Sequence, residues 1–431
     1  MISLVWCGVV LALSVRIVLI EWNAHEWLGN RIEVSSPLTN WNRITEALVL
    51  LSNGVSAYDG DVVHETPLVI LFFQAALRYL PFSVGYLFLM LDVCAAWGLG
   101  EITVVHQRLV LDRQRREKSK YSDGVAQVLI VEDVELPALM VFLYLINPFS
   151  VATCVGRSTT LLSTLSIILS LLCALKGRLF LSTLFTALSG YLSFYPVMLI
   201  LPITMINCEV KNHSGRSRIQ VTIATILSFL LWSVALFWLS YSAVGSWQFL
   251  YSVYGFILSV PDHMPNLGLF WYFFMLVFDH FREFFLWIFQ INVFVYAIPL
   301  ALRLRDHPTF LFYVLCFLVS IFKSFPTVGD VALPLSLLPL WSHLFKYMRY
   351  TFVASCMLLA ATIIGPIFWY MWVVAGHANA NFFFAATVLH SLGQILLLND
   401  SVGSLLRRDY DLLHGISPPQ VQGKPGIIRL R

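Results

Sequence analysis

Charge is what this sequence has least of. Only 12% of its 431 residues are Asp, Glu, Lys or Arg, against about 25% in ordinary soluble chains. With 58% of the residues hydrophobic, that shortage excludes a soluble fold and indicates a polytopic membrane protein. Other absences narrow the chemistry. The seven cysteines (7, 94, 154, 173, 208, 316, 356) lie within or at the ends of apolar stretches, with no CxxC and no Cys/His cluster. They read as small buried residues. No Ser/His/Asp set, phosphate loop or metal cluster is visible, so no cofactor is expected. No small-x-small cleavage site follows residues 1–20, and Glu21-Trp22-Asn23 is a poor exit for a signal peptide. The first stretch is therefore kept as a membrane helix. A net charge of +3 says little by itself, and no nucleic-acid partner is expected.

What the chain has in excess is aromatic rings, concentrated between Tyr251 and Pro299. That stretch is broken by Pro261-Asp262-His263 and Pro265-Asn266, and again by Asp279-His280-Phe281-Arg282-Glu283. A plain span would not carry those charges, and a soluble helix would not carry that many rings. Rings with polar tips sit best between headgroups and hydrocarbon. Residues 247–283 are expected to lie along one membrane face, followed by a true span at 284–302.

The remaining apolar runs are tested against the roughly 20 residues a helix needs to cross. Residues 1–20 cross, a polar loop occupies 21–66, and 67–80 is short enough to be an interfacial lead-in. Residues 82–105 cross next, and the basic stretch in 106–137 is assigned to the cytosol. Residues 138–156 and 158–175 form a hairpin turning near Arg157, and 179–207 forms two short helices breaking around Ser193–Pro196. Further spans are expected at 219–243, 308–322, 331–345, 351–374 and 382–400, with a cytosolic tail at 401–431. The expectation is an all-α, single multi-span domain over 1–431, with about twelve spans and both termini cytosolic. All but seven of the 27 Lys and Arg then face the cytosol; the exceptions are Arg16, Arg31, Arg43, Arg78, Arg157, Arg282 and Lys323.

In that arrangement the loops with unusual polar residues share the lumenal face: Asp59–Thr66, Asp262–Asn266, Asp279–Glu283, Lys323–Asp330 and His377–Asn381. The two glycosylation sequons, Asn212-His213-Ser214 and Asn399-Asp400-Ser401, fall on the cytosolic side or at the membrane edge and are expected to be unused.

Asp59-Gly60-Asp61 in the first lumenal loop could serve a lumenal transferase using a dolichol-linked sugar, as base or as metal ligand. An isolated DxD is a weak signal, however, and the preferred reading is a solvated Asp-Gly turn that needs no ligand. His64-Glu65 precedes Thr66-Pro67, which reads as helix entry with Thr66 as cap and Pro67 at the first helical position. Asp279 and His280 are neighbours and point in different directions on a helix, which favours an ion-pair face over acid–base work. Asn379 and Asn381, with His377 nearby, stand where a helix starts into Phe382-Phe383-Phe384. Neutral amides suit sugar hydroxyls or phosphate oxygens, and Asn381 could also cap the helix.

Several motifs together resemble the subunit U (PIG-U) family of the glycosylphosphatidylinositol (GPI) transamidase. They are Ser35-Ser36-Pro37-Leu38, His64-Glu65-Thr66-Pro67-Leu68, Leu145-Ile146-Asn147-Pro148, Tyr254–Pro261 with Pro265–Phe274, Phe289–Phe294, Lys323–Asp330 and Asn379–Phe383. The resemblance implies a multi-pass endoplasmic-reticulum protein with a glycosyltransferase-C-like membrane fold. It also implies a non-catalytic role: recognising the GPI lipid while a caspase-like subunit of the complex performs the transamidation. Asn379 and Asn381 match positions that look like contacts to the anchor headgroup, with His377, Phe383, Asp262, Asn266 and Trp271 as supporting positions. Asp59-Gly60-Asp61 is not part of the family's pattern. Membrane lipids and the other transamidase subunits are the implied partners. A site for such a lipid needs an apolar groove beneath a polar rim, which 179–207 and the aromatic stretch could line. Burial of acyl chains at about 0.8 kcal/mol per CH2 would supply affinity.

Overall fold

The computed structural model describes residues 2–80, 83–211, 217–416, 420–421 and 424–425. Among the described residues the regular structure is helical, apart from a two-residue antiparallel pairing of Gln420–Val421 with Lys424–Pro425. Among the described residues six helices are long and apolar enough to cross a membrane, or seven if one bent pair counts as a single span. That pair, Leu136–Ile146 and Pro148–Val155, bends by 57°. Pro148 has no N–H to continue the first helix, and Asn147 starts the second by accepting a hydrogen bond from Phe149 N at 3.0 Å.

Contacts divide the chain into two compact units, Met1–Ile102 with Pro137–Leu337 and Thr103–Leu136 with Leu338–Arg431. In the first unit the hairpin near Arg157 forms as expected, with its return helix at Thr160–Leu175. The break at Ser193–Pro196 is also present: helix Leu179–Ser193 ends at Phe194, whose φ of 61° redirects the chain into a tight turn over Tyr195–Leu199. Hydroxyls join neighbouring helices where no water can, as between Thr183 and Ser228 at 2.7 Å and Tyr191 and Ser240 at 2.6 Å. One ion pair is wholly buried. Arg16 Nε donates to Asp92 at 2.7 Å with neither side chain exposed, and Tyr144 Oη donates to the other Asp92 oxygen at 2.7 Å.

The second unit is built on helix Thr351–Trp369 packed against helix Ala380–His414. Gly393 lets the backbones approach, since a Cβ there would meet Leu358 Cγ at 3.0 Å and the Ala354 carbonyl at 3.3 Å. The Asp400 carboxylate accepts from Arg349 N and Tyr350 N at 2.9 and 2.7 Å. It thereby caps the start of the partner helix from outside. Val125, Val128 and Leu412 form a small core under the 118–130 loop.

Four boundaries differ from expectation. Helix Val84–Glu117 continues twelve residues past 105, because Arg, Gln and Glu are good helix formers and Arg113 pairs with Glu117 one turn on at 3.3 Å. Asp279–Glu283 does not interrupt the chain before a span; Asp279 opens helix Asp279–Val295, with its carboxylate at the positive end of the dipole. The last helix runs to His414 rather than stopping at 400, so the Asn399 sequon is helical. The Asn212 sequon lies outside the described residues. Finally, Asn379 rather than Asn381 caps that helix, its Oδ1 accepting from Asn381 N at 3.1 Å.

Candidate functional site

The first unit holds a small polar pocket lined by Glu65, Thr159, Thr160, Ser163, Lys323 and Asp330, with Leu38, Val69 and Phe325 on its apolar side. Its walls include the end of the 53–66 loop and the 323–330 turn. The 53–66 loop is tied by Arg43 Nη1 donating to Val62 O at 2.6 Å and by Gln248 Nε2 donating to Tyr58 O at 2.7 Å. Tyr58 Oη in turn donates to the Glu65 carbonyl at 2.8 Å. Thr66 stands at the cap position with Pro67 first in helix Pro67–Tyr79, as expected, although the Thr66 side chain makes no capping bond.

The 323–330 turn is braced by its own side chains and by distant partners, with Ser324 N donating to Tyr195 Oη at 3.2 Å. Lys323 Nζ reaches Asp330 at 2.6 Å, and both Thr327 N and Thr327 Oγ1 donate to the second Asp330 oxygen, at 2.8 and 3.0 Å. Gly329 is required here: a Cβ would meet Thr153 Oγ1 at 2.9 Å and Thr160 Cγ2 at 3.1 Å. Thr160 Oγ1 meets Thr327 Oγ1 at 3.2 Å, closing the seam.

Glu65 is the electrostatic centre of the pocket. Burial pushes its carboxyl up to about 8, against the opposing pull of hydrogen bonds from the Thr159 hydroxyl and the Thr66 backbone. Near neutral pH it is mostly protonated, and Lys323 and Asp330 neutralise each other. The pocket therefore presents hydroxyl and carboxyl hydrogen bonds with little net charge. Next to it, His64 stacks on Phe256 at 3.7 Å, and its Nδ1 lies 2.8 Å from Ser252 O. Burial holds its pKa below the ordinary histidine value, so the ring is neutral and donates that bond. Glu65 and His64 were readable only as charged residues at a helix entry; their burial follows from partners about a hundred or more positions away.

The aromatic stretch splits. Phe256, Val260, Phe270, Phe274 and Phe325 form a buried cluster, in which Phe273 and Phe289 pack at 4.7 Å. Tyr251, Phe278, Phe284 and Trp287 remain exposed. Trp271 is fully buried. Asp262 and Asn266 shape the backbone: Asp262 accepts from Met264 N at 2.8 Å and Asn266 from Gly268 N at 2.7 Å. Asn266 is itself buried. In the second unit Asn379, Asn381 and His377 are exposed, whereas Phe383 is fully buried and anchors the helix start. The sequence-predicted residues thus fall into two sets, Asp262, Asn266 and Trp271 in one unit and His377, Asn379, Asn381 and Phe383 in the other. Asp59 and Asp61 are exposed at a bend.

The family model for the GPI transamidase subunit PIG-U matches residues 10–390. The chain belongs to this family. It is 38% identical over 435 residues to the mouse protein named GPI-anchor transamidase component PIGU, with 98% of each chain covered, and similarly to the human protein of that name over 436 residues. The GPI transamidase component GAB1 of Saccharomyces cerevisiae is 34% identical over 387 residues, 89% of each chain. These PIG-U relatives are components of a complex that attaches GPI anchors. The helical, apolar architecture fits a multi-pass member of that membrane machinery.

Proposed function

We propose that this PIG-U family member is a non-catalytic subunit of the GPI transamidase in the endoplasmic-reticulum membrane, recognising the GPI lipid and presenting it for attachment to precursor proteins. The observation that carries this reading is the family match across residues 10–390. The caspase-like subunit supplies the transamidation chemistry, and membrane lipids and the remaining subunits complete the surroundings. The chain forms one multi-span domain with a glycosyltransferase-C-like fold, about twelve spans and cytosolic termini. Exposed Asn379 and Asn381, at a helix start pinned by buried Phe383, offer amides to the anchor headgroup.

Mass spectrometry of lipids from cells lacking the protein tests the role. Complete GPI lipid accumulating unattached is the expected result. A truncated glycan would mean that the protein builds the anchor instead, and would overturn the proposal.

A further inference from the structure

A second recess opens in the first unit, with a lining that shares no residue with the Glu65 pocket. Its volume is about 210 Å³, and its lining includes His25, Glu26, Asn30, Trp41, Asn42 and Arg157. These residues come from the 21–66 loop and from the hairpin turn, segments the sequence assigns to the same membrane face.

Arg157 decides the chemistry. Its φ of 53° is uncommon for a residue with a side chain, and its N–H is fixed to Cys154 O at 3.2 Å. The guanidinium is half buried. Burial is the one cause acting on its pKa, which it lowers. Among the described residues no carboxylate, carbonyl or hydroxyl accepts from it, although it carries five N–H donors. His25 stands beside it; its Nδ1 is sealed from solvent, which leaves Nε2 as the ring nitrogen that can meet a ligand. Burial, and then the charge of Arg157, hold the His25 pKa below the ordinary value. The imidazole is therefore neutral at neutral pH, with one N–H to give.

Glu26 is the acid in this lining. It is exposed, and its electrostatic influence falls on His25; its carbonyl accepts from Asn30 Nδ2 at 2.6 Å. Asn42 Nδ2 donates to Asn30 Oδ1 at 3.0 Å, so those amides are largely committed to each other. What remains open is a half-buried cation and one neutral donor, with no anion set against them. A guanidinium fork matches tetrahedral phosphate oxygens.

We propose that this recess binds a phosphate group, with two of its oxygens on the Arg157 guanidinium and another on His25. A phospholipid headgroup and free phosphate share that chemistry. Trp22 and Trp27, exposed on the same loop, set the recess at the depth of lipid headgroups, where indoles concentrate. This favours phosphate over an acidic segment of a neighbouring protein. The inference is independent of the role assigned to Asn379 and Asn381.

The test uses the full chain in dodecyl maltoside, with unfolding temperature followed by tryptophan fluorescence. The probes are sodium phosphate against chloride at equal ionic strength, and mixed micelles containing palmitoyl-oleoyl-phosphatidylcholine or palmitoyl-oleoyl-glycerol, which lacks the phosphate. Stabilisation by the phospholipid but not by the diacylglycerol is expected. A response to phosphate alone as well would identify free phosphate as a sufficient occupant. Arg157→Asn keeps a residue that tolerates the left-handed backbone and should need at least tenfold more ligand for half the shift. Arg157→Lys should fall between the two, and His25→Gln should weaken binding severalfold should the Arg157 variants fail to fold. The proposal is overturned when wild type answers to neither probe, or when the variants answer as wild type does. It is also overturned when Arg157→Asn leaves both responses intact but releases the chain from its complex, which would assign the recess to an acidic protein segment.

Discussion

Replacing Asp92 by Asn is the sharpest test of how this helical core is held. The change keeps the side chain's shape and the acceptor for Tyr144, but removes the charge opposite Arg16. Both side chains are fully buried, so water cannot take over. Removing one partner of such a pair costs about 3–5 kcal/mol. Arg16 keeps other acceptors, namely Ser150 Oγ at 3.0 Å and the carbonyls of Ala12 and Leu145. The loss should therefore lie near the lower end, about 3 kcal/mol, or roughly 150-fold in the folded-to-unfolded ratio. Made in a Tyr144→Phe background, so that no buried hydroxyl loses its acceptor, Arg16→Met combined with Asp92→Leu removes both charges and should recover to within about 1 kcal/mol of that background. The measurement is detergent denaturation of the full-length protein followed by tryptophan fluorescence. The reasoning fails if Asp92→Asn stays within about 0.5 kcal/mol of wild type, a surface-pair value, or if the double variant is as damaged as the single.

Three further outcomes are expected. The Glu65 carboxyl is raised from 4.5 to about 8 in the folded state, so the folded protein binds the extra proton between those values. Stability should fall as pH rises through that window by up to about 1.4 kcal/mol per unit; a Glu65→Gln variant whose unfolding curve keeps the wild-type pH slope would remove this carboxyl as the cause. Leu at both Asn379 and Asn381 should reduce GPI attachment in cells while the complex still assembles. Asn379→Ser keeps the cap and Asn381→Ser removes only an amide, so attachment unchanged in every variant would place the headgroup elsewhere. Asp59→Asn with Asp61→Asn should leave attachment near normal at matched expression, because both are exposed at a bend; lost attachment with intact protein would restore a catalytic or metal-binding role.

Helix Pro308–Phe322 was legible to the residue, because its apolar run begins at a proline and stops at Lys323. The break after Ser193 was equally plain from Pro196. Helix ends in water were not. Hydropathy reports where a helix meets lipid, whereas the backbone ladder continues for as long as the residues favour it, as from 105 to Glu117 and from 400 to His414. The cap was misplaced by two positions for a similar reason: either amide could start that helix, and only the backbone angles select Asn379. Least legible were partners far apart in sequence. Arg16 and Asp92 are separated by 76 positions, and Glu65 and Thr159 by 94. Lys323 and Asp330, seven apart, were visible as a polar motif, but their enclosure within the Glu65 pocket was not.

The bend at Asn147-Pro148 has a consequence for how far the hairpin can reach. Its outgoing arm has helices of 11 and 8 residues joined at 57°. At 1.5 Å per residue these advance about 23 Å along the first helix axis. The returning helix of 16 residues covers about 24 Å. The two arms agree, and both fall short of the roughly 30 Å of hydrocarbon in a typical bilayer. A loop tethered this way cannot rise far into the aqueous phase. Arg157, at the turn the two arms share, is thereby held at a distance from the hairpin's base that the two arms set alike.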